Sequence, residues 1–199
     1  MEKQYRRALT LEYFTVGYNI LEAIASIIAG GIANSIALVG FGLDSIVESL
    51  SGLVLIWRLR KHKAIVRAEE EKIEKRATIF VGITFLILGA YVLIESVRKI
   101  ISKEMPDPSI AGIIIAILSI IIMPILGYKK YSIGKELSLT SLVADSKETF
   151  VCSLLSVALL IGLVTRHLFN FWLSDPLVGI VIVVFLLKEG VELLFEKSD

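Results

Sequence analysis

The sequence predicts an all-α membrane protein of six transmembrane helices, with both the N- and C-termini cytoplasmic. Three observations lead there. The apolar residues make up 55% of the 199, for a mean hydropathy of +0.77, and they stand in long blocks rather than amphipathic stripes. Each block is close to the ~20 residues that carry a helix across ~30 Å of hydrocarbon. No stretch shows the alternation over ~10 residues that marks a barrel strand.

The blocks fall at about residues 11–32, 35–57, 78–101, 110–128, 138–164 and 172–194. The first follows a basic start (Lys3, Arg6, Arg7), but it is too long for a signal-peptide core and contains Glu12, Asn19 and Glu22, so a retained helix is expected. Gly30-Gly31 and Asn34-Ser35 are turn chemistry and separate the first two spans. Glu71 to Lys75 and its neighbours in the second loop are spaced as on a solvated helical extension of the third span. Pro106 and Pro108 open the fourth span, and Asp175-Pro176 lies in the first turn of the sixth. No long internal repeat is visible. The chain ends close to the last span, which predicts one transmembrane domain over residues 1–199 and no soluble domain.

Lysine and arginine set the orientation. Sixteen fall at the N-terminus, in the second loop (58–76), in the fourth loop (Lys129, Lys130, Lys135) and at the C-terminal end; four (Arg98, Lys99, Lys103, Arg166) fall on the other side. Trp57, Tyr91, Tyr128 and Trp172 sit near span ends, as interfacial anchors do. A net charge of +1 with no basic, aromatic-interleaved stripe argues against nucleic-acid binding. The single cysteine, Cys152, excludes an internal disulfide and a cysteine-only metal cluster. No helix carries a Ser/His dyad, a His-Glu-x-x-His or a serine elbow, so no enzyme is expected.

Ionisable groups within spans are costly and mark function by default. Asp44 and Glu48 are four apart on the second span, which puts both carboxylates on one helical face. A divalent cation between them removes their repulsion. Glu148 and Cys152 repeat that spacing on the fifth span, and Asp145 borders the same face. Two such pairs supply four ligands around one ion. Oxygen and sulfur together suit tetrahedral zinc; carboxylates also suit manganese and iron, and a thiolate favours softer ions. The plainer readings are an ion pair of Asp44 and Glu48 with Lys147, Glu148 as a lysine counter-ion, and Cys152 as a small buried apolar residue. Asp145 is expected as a supporting group. Asn19 and Glu22 are expected to face the bundle interior and to support the site or a proton path, whereas Glu12 is open to an interfacial position. His62 and His167 receive no metal role, and Glu95 with Arg98 is read as an ion pair.

These residues resemble a known family. Asn19-x-x-Glu22, Ala29-Gly30 and Ser35-Ile36-Ala37-Leu38 are similar to the passage between the first two helices of the cation diffusion facilitators. Ala144-Asp145-x-x-Glu148-x-x-x-Cys152 matches the frame of their fifth helix, and Ser174-Asp175-Pro176-Leu177-Val178-Gly179 resembles the opening of their sixth. The chain departs from the family at Phe41, where an aspartate is usual, at Glu148 for histidine and at Cys152 for aspartate. It lacks a histidine-rich loop and the C-terminal cytoplasmic metal-binding domain, which makes it a divergent short branch. The resemblance implies a proton-coupled efflux transporter of divalent metal, zinc foremost, with iron, manganese, cobalt and cadmium open. The metal is cargo, and no cofactor is called for. It also implies a homodimer in the bilayer of the cell (inner) membrane, joined through transmembrane helices, with Gly82, Gly89 and Ala90 as interface candidates. A non-transporting membrane metal sensor or partner subunit is the alternative. Cysteines introduced at Lys61 and at Asp107 should be labelled from opposite faces of the membrane, and labelling of both from one face would overturn the topology.

Overall fold

The structure, a computed structural model, describes residues 2–61 and 67–195. Among these residues there are six helices: α1 (Glu2–Ile32), α2 (Ile36–Lys61), α3 (Arg67–Ser102), α4 (Ile110–Leu137), α5 (Thr140–Phe169) and α6 (Ser174–Phe195). No strand occurs among the described residues. Among the described residues, four segments are long and apolar enough to cross a membrane: Tyr5–Ile32, Ile36–Arg60, Ile110–Leu137 and Ser141–Phe169. α6 is kept outside that group by Asp175, Lys188, Glu189 and Glu192. α3 begins at Arg67, within the charged stretch expected to be helical; His62 and the side chains of Glu71 and Lys75 lie outside the described residues.

The exterior of the bundle is apolar. Leu21, Ile28 and Ile32 on α1, Ile87 on α3, and Leu154 and Ile161 on α5 are all exposed. The polar groups face inward instead: Glu12, Asn19, Glu22, Asp44, Glu48 and Asp145 are buried. Polar outside and apolar inside is the soluble pattern; its inversion is what a membrane demands.

α1 and α2 form one antiparallel hairpin and α4 and α5 another. Both turn in the same way. Gly30 and Gly31 remain helical, and the chain reverses at Asn34, in the left-handed region at φ 50°. The amide of Ser35 donates to Gly30 O at 2.8 Å and that of Asn34 to Gly31 O at 3.4 Å, the two bonds of a Schellman cap. In the second hairpin Ser138 has φ 54°, Leu139 N donates to Gly134 O at 2.9 Å, and Ser138 N donates to Lys135 O at 3.3 Å. Gly30 is needed for close approach rather than for a turn. A Cβ there would stand 2.8 Å from Val39 N, and one at Gly134 would stand 3.1 Å from Val143 N. Each pair of equivalents lies 104 residues apart (138 − 34 for the turn residues). The chain therefore contains an internal repeat that its side chains conceal.

The two hairpins pack as a four-helix unit, with α1 against α4 and α2 against α5. α3 and α6 pair with each other and flank it: α3 rests on α2, and α6 rests on α2 and α5. Glycines set this pairing too. Gly89 abuts Leu186 and Leu187, Gly190 abuts Gly82 and Leu86, and Gly179 abuts Ser96. Gly82 and Gly89, expected at a dimer interface, are thus buried within the chain against α6, because two glycine-bearing helices pack closest with each other; Ala90 is exposed.

The start of α2 is capped from a distance. Asp175 accepts from the Ser35 hydroxyl in a short contact, from Ile36 N at 2.9 Å and from Ala37 N at 3.4 Å. Ser35 Oγ accepts in turn from Leu38 N at 3.1 Å, as an N-cap does. Lys99 Nζ lies 4.0 Å from Asp175 and donates to the carbonyl and side chain of Asn34. Two sequence motifs, Ser35-Ile36-Ala37-Leu38 and Ser174-Asp175-Pro176, are therefore halves of one junction. Asp175→Ala should lower stability by about 2 kcal/mol, and Asp175→Asn by less, since hydrogen bonds to a charged acceptor are each worth ~1.5–3 kcal/mol. Thermal unfolding in detergent reads this, and an unchanged midpoint for Asp175→Ala would contradict the capping role.

Candidate metal centre

Helical periodicity puts Asp44 and Glu48 on one face of α2, and Glu148 and Cys152 on one face of α5. The repeat offset makes these the same two positions in each hairpin: 44 corresponds to 148, and 48 to 152. All four line one cavity of about 20 Å³, together with Phe85, Val151, Phe185 and Glu189. That is room for about one water molecule. Two aromatic rings and a valine share its wall; Asp44, Glu48 and Cys152 are buried there, while Glu148 and Glu189 are half-buried.

Hydroxyls on the neighbouring turns hold the acids. The Thr149 hydroxyl donates to Glu48 Oε1 at 2.8 Å, and Ser51 donates to Glu148 Oε2 at 3.1 Å. Each hydroxyl comes from the helix opposite the acid it serves, so α2 and α5 are cross-stitched at the site. Glu48 Oε2 is buried with no hydrogen-bond partner. The Cys152 thiol shares the cavity wall with Asp44 and Glu48. Among the described residues, no three of the acids and the thiol converge closely enough to hold an ion as they stand. They share a cavity without closing on a common centre.

The supporting residues divide. Glu22 accepts from Tyr18 at 3.0 Å and from Ser45, the residue after Asp44, at 2.9 Å. Asn19 is fully buried, with neither side-chain atom paired. Asp145 does not line the cavity; it is bound to Lys130. Lys147 is exposed, so the pairing of Asp44 and Glu48 with it does not occur. The buried base beside these acids is Lys130, expected in a loop but 1% exposed inside α4. Glu12 is fully buried beside it, where the acid finds its counter-charge inside the bundle. Glu95 and Arg98 pair at 3.0 Å as expected, and His167 is exposed in the last turn of α5. Sequence reasoning missed Glu189; the available signal was an acid several turns inside α6, on a helix whose opening had already been singled out.

The model of the cation efflux transmembrane domain matches residues 14–199. The chain belongs to the cation efflux family. Transmembrane protein 163 of Xenopus laevis is 24% identical over 192 residues, covering 96% of this chain and 67% of that protein. An uncharacterized transporter of Methanocaldococcus jannaschii is 23% identical over 188 residues, 91% of this chain and 65% of that protein. Magnetosome protein MamB of a Magnetospira species is 24% identical over 187 residues, 91% of this chain and 61% of that protein. The chain thus spans about two thirds or less of the length of these relatives. Family membership and the apolar exterior together make this a membrane protein of the cation efflux type.

Because Glu189 brings a further carboxylate to the cavity wall, Glu189→Gln should weaken divalent-ion binding several-fold while leaving the fold intact. Isothermal titration in nanodiscs checks this, and an unchanged affinity would exclude Glu189 from the site.

Proposed function

We propose that the chain moves divalent transition-metal cations, zinc foremost, out of the cytoplasm in exchange for protons, with Asp44, Glu48, Glu148 and Cys152 as the ligands. What carries this reading is one observation: repeat-equivalent residues of α2 and α5 line a single cavity of ion size within a membrane domain. Burying several carboxylates without cations would be costly there. Three carboxylates and a thiolate suit zinc, and the sulfur tilts the set toward soft ions.

Proton exchange follows from the same groups. A metal binds deprotonated carboxylate and thiolate, so its arrival displaces protons and their return expels it. In this reading the termini are cytoplasmic, the protein sits in the cell membrane, and it works as a homodimer whose contact faces are other than the Gly82–Gly89 surface.

Proteoliposomes holding the purified chain test it, with metal flux and internal pH followed together. Zinc uptake should be coupled to proton movement and suppressed by cadmium. Cys152→Ser should weaken zinc and cadmium about tenfold or more while sparing manganese, because only the soft ions gain from sulfur. Glu148→Gln should weaken every divalent ion and reduce proton release. Unchanged affinity and flux in both Asp44→Asn and Glu148→Gln would overturn the ligand set. Binding without flux would turn the reading to a membrane metal sensor.

A further inference from the structure

A second cluster of charge lies in the bundle beside the cavity but outside it. Lys130 Nζ is paired with Asp145 Oδ2 in a short contact, stands 3.4 Å from Glu12 Oε2, and donates to Thr149 Oγ1 at 3.3 Å. Lys130, Glu12 and Asp145 are 1%, 0% and 4% exposed. The Thr149 hydroxyl accepts from the lysine and directs its one proton to Glu48 Oε1 at 2.8 Å, the Asp145 carbonyl at 3.1 Å being the alternative acceptor. One ammonium therefore faces two acids directly and a third, the candidate ligand Glu48, through a single hydroxyl.

The acids present more oxygen than the ammonium uses. Glu12 Oε1, Asp145 Oδ1 and Glu48 Oε2 are all buried without a hydrogen-bond partner, and the Glu12 Oε2 contact is ionic only. Asp145 lies three residues before Glu148. At 1.5 Å of rise per residue the cluster is less than one turn from the cavity along α5, toward the end where α1 begins and α2 and α4 finish. Among the described residues the other buried bases, Lys99 and Arg166, belong to the opposite end, where they hold Asn34 and Pro106.

The first hairpin carries no such charge at the equivalent positions of α1 and α2. The repeat places Phe41 where the second hairpin has Asp145, and Ser26 where it has Lys130. Phe41 and Ser26 are fully buried, and the same backbone geometry closes around them without charge. Buried ion pairs are moreover often no more stabilising than apolar replacements.

We propose that Glu12 and Asp145, with Glu48 reached through Thr149, form a second cation site, and that Lys130 supplies its cation. The lysine and the transported ion are then rival counter-charges for Glu48. With the cavity empty, the ammonium steadies Glu48 through Thr149. With an ion bound, Glu48 turns to it and the lysine rests on Glu12 and Asp145. Glu12 sets how firmly the lysine is drawn away from the site, although it lines no part of the cavity. This rests on the metal-site reading above.

Manganese binding to the full chain in nanodiscs tests it, with stoichiometry and affinity read by electron paramagnetic resonance. The wild-type chain should bind one ion, Lys130→Met two, and Lys130→Arg one. Lys130→Met combined with Asp145→Asn should return to one, showing that the second ion sits where the lysine was. Glu12→Gln should weaken the first site about tenfold, within the usual range of coupling between sites, and adding Lys130→Met should relieve that loss. A merely structural Glu12 would alter thermal stability and leave affinity alone. One ion in Lys130→Met, or an unchanged affinity in Glu12→Gln, overturns the proposal; if Lys130→Met fails to fold, Glu12→Gln decides. A wild-type chain that binds no ion overturns the metal-site reading itself.

Discussion

Each carboxylate placed at membrane depth costs a few kcal/mol or more unless something answers its charge, and this chain places Glu12, Glu22, Asp44, Glu48 and Asp145 inside one bundle, with Glu148 half-buried beside them. That constraint orders the rest. It forces the polar faces of α1, α2, α4 and α5 together and leaves isoleucine and leucine outside. It commits the hydroxyls of Tyr18, Ser45, Ser51 and Thr149 to carboxylate oxygens, each across a helix interface or one turn along. It also accounts for burying an entire lysine, since Lys130 is the base that meets these acids directly. Among the described residues the interior of the bundle still holds more acidic than basic side chains.

The repeat shows how a two-sided site arises from one building unit. Each hairpin closes through the same Schellman turn and the same close glycine contact, so positions equidistant from the two turns occupy equivalent places. Asp44 and Glu48 on one side answer Glu148 and Cys152 on the other. Ser45 and Thr149 correspond as well, and both donate to an acid: Ser45 to Glu22 and Thr149 to Glu48. The halves part company one turn further along, where Phe41 stands opposite Asp145. One half carries charge toward its end of the bundle and the other is sealed by an aromatic ring. A symmetric scaffold thereby acquires a direction.

The fold was largely legible because hydrocarbon thickness fixes span length, and long apolar blocks cannot be hidden. The i,i+4 pairs were legible because a helix's own period decides which side chains share its face. What a neighbouring helix contributes was not. Lys130 follows Lys129 and precedes Tyr131, a run that looks like a loop until α4 is seen to continue to Leu137. Glu12 lies near the sequence edge of its span, and only Lys130 opposite shows that it is buried. Glu189 became part of the cavity only through the docking of α6 on α2 and α5. Of the two turn signals, Asn34-Ser35 holds the reversal, whereas Gly30 stays helical, because close packing against Val39 uses its missing side chain.

The incomplete convergence of the cavity residues has a mechanical consequence. The four candidate ligands share a space of about 20 Å³, but no three of them close on one point among the described residues. An ion that draws Asp44 and Glu48 toward Glu148 and Cys152 must pull α2 and α5 together or rotate their side chains inward. α2 is also the helix against which α1, α3 and α6 rest, and Asp175 of α6 caps its far end. Any displacement of α2 at the site is therefore felt by the α3–α6 pair. A ligand shifts a conformational equilibrium only by its differential affinity for the two states, and a site whose donors meet only after rearrangement has that difference built in. Where the donors meet by movement of α2 rather than by side-chain rotation alone, closing a ligand shell and repositioning α2 against its neighbours would be the same event.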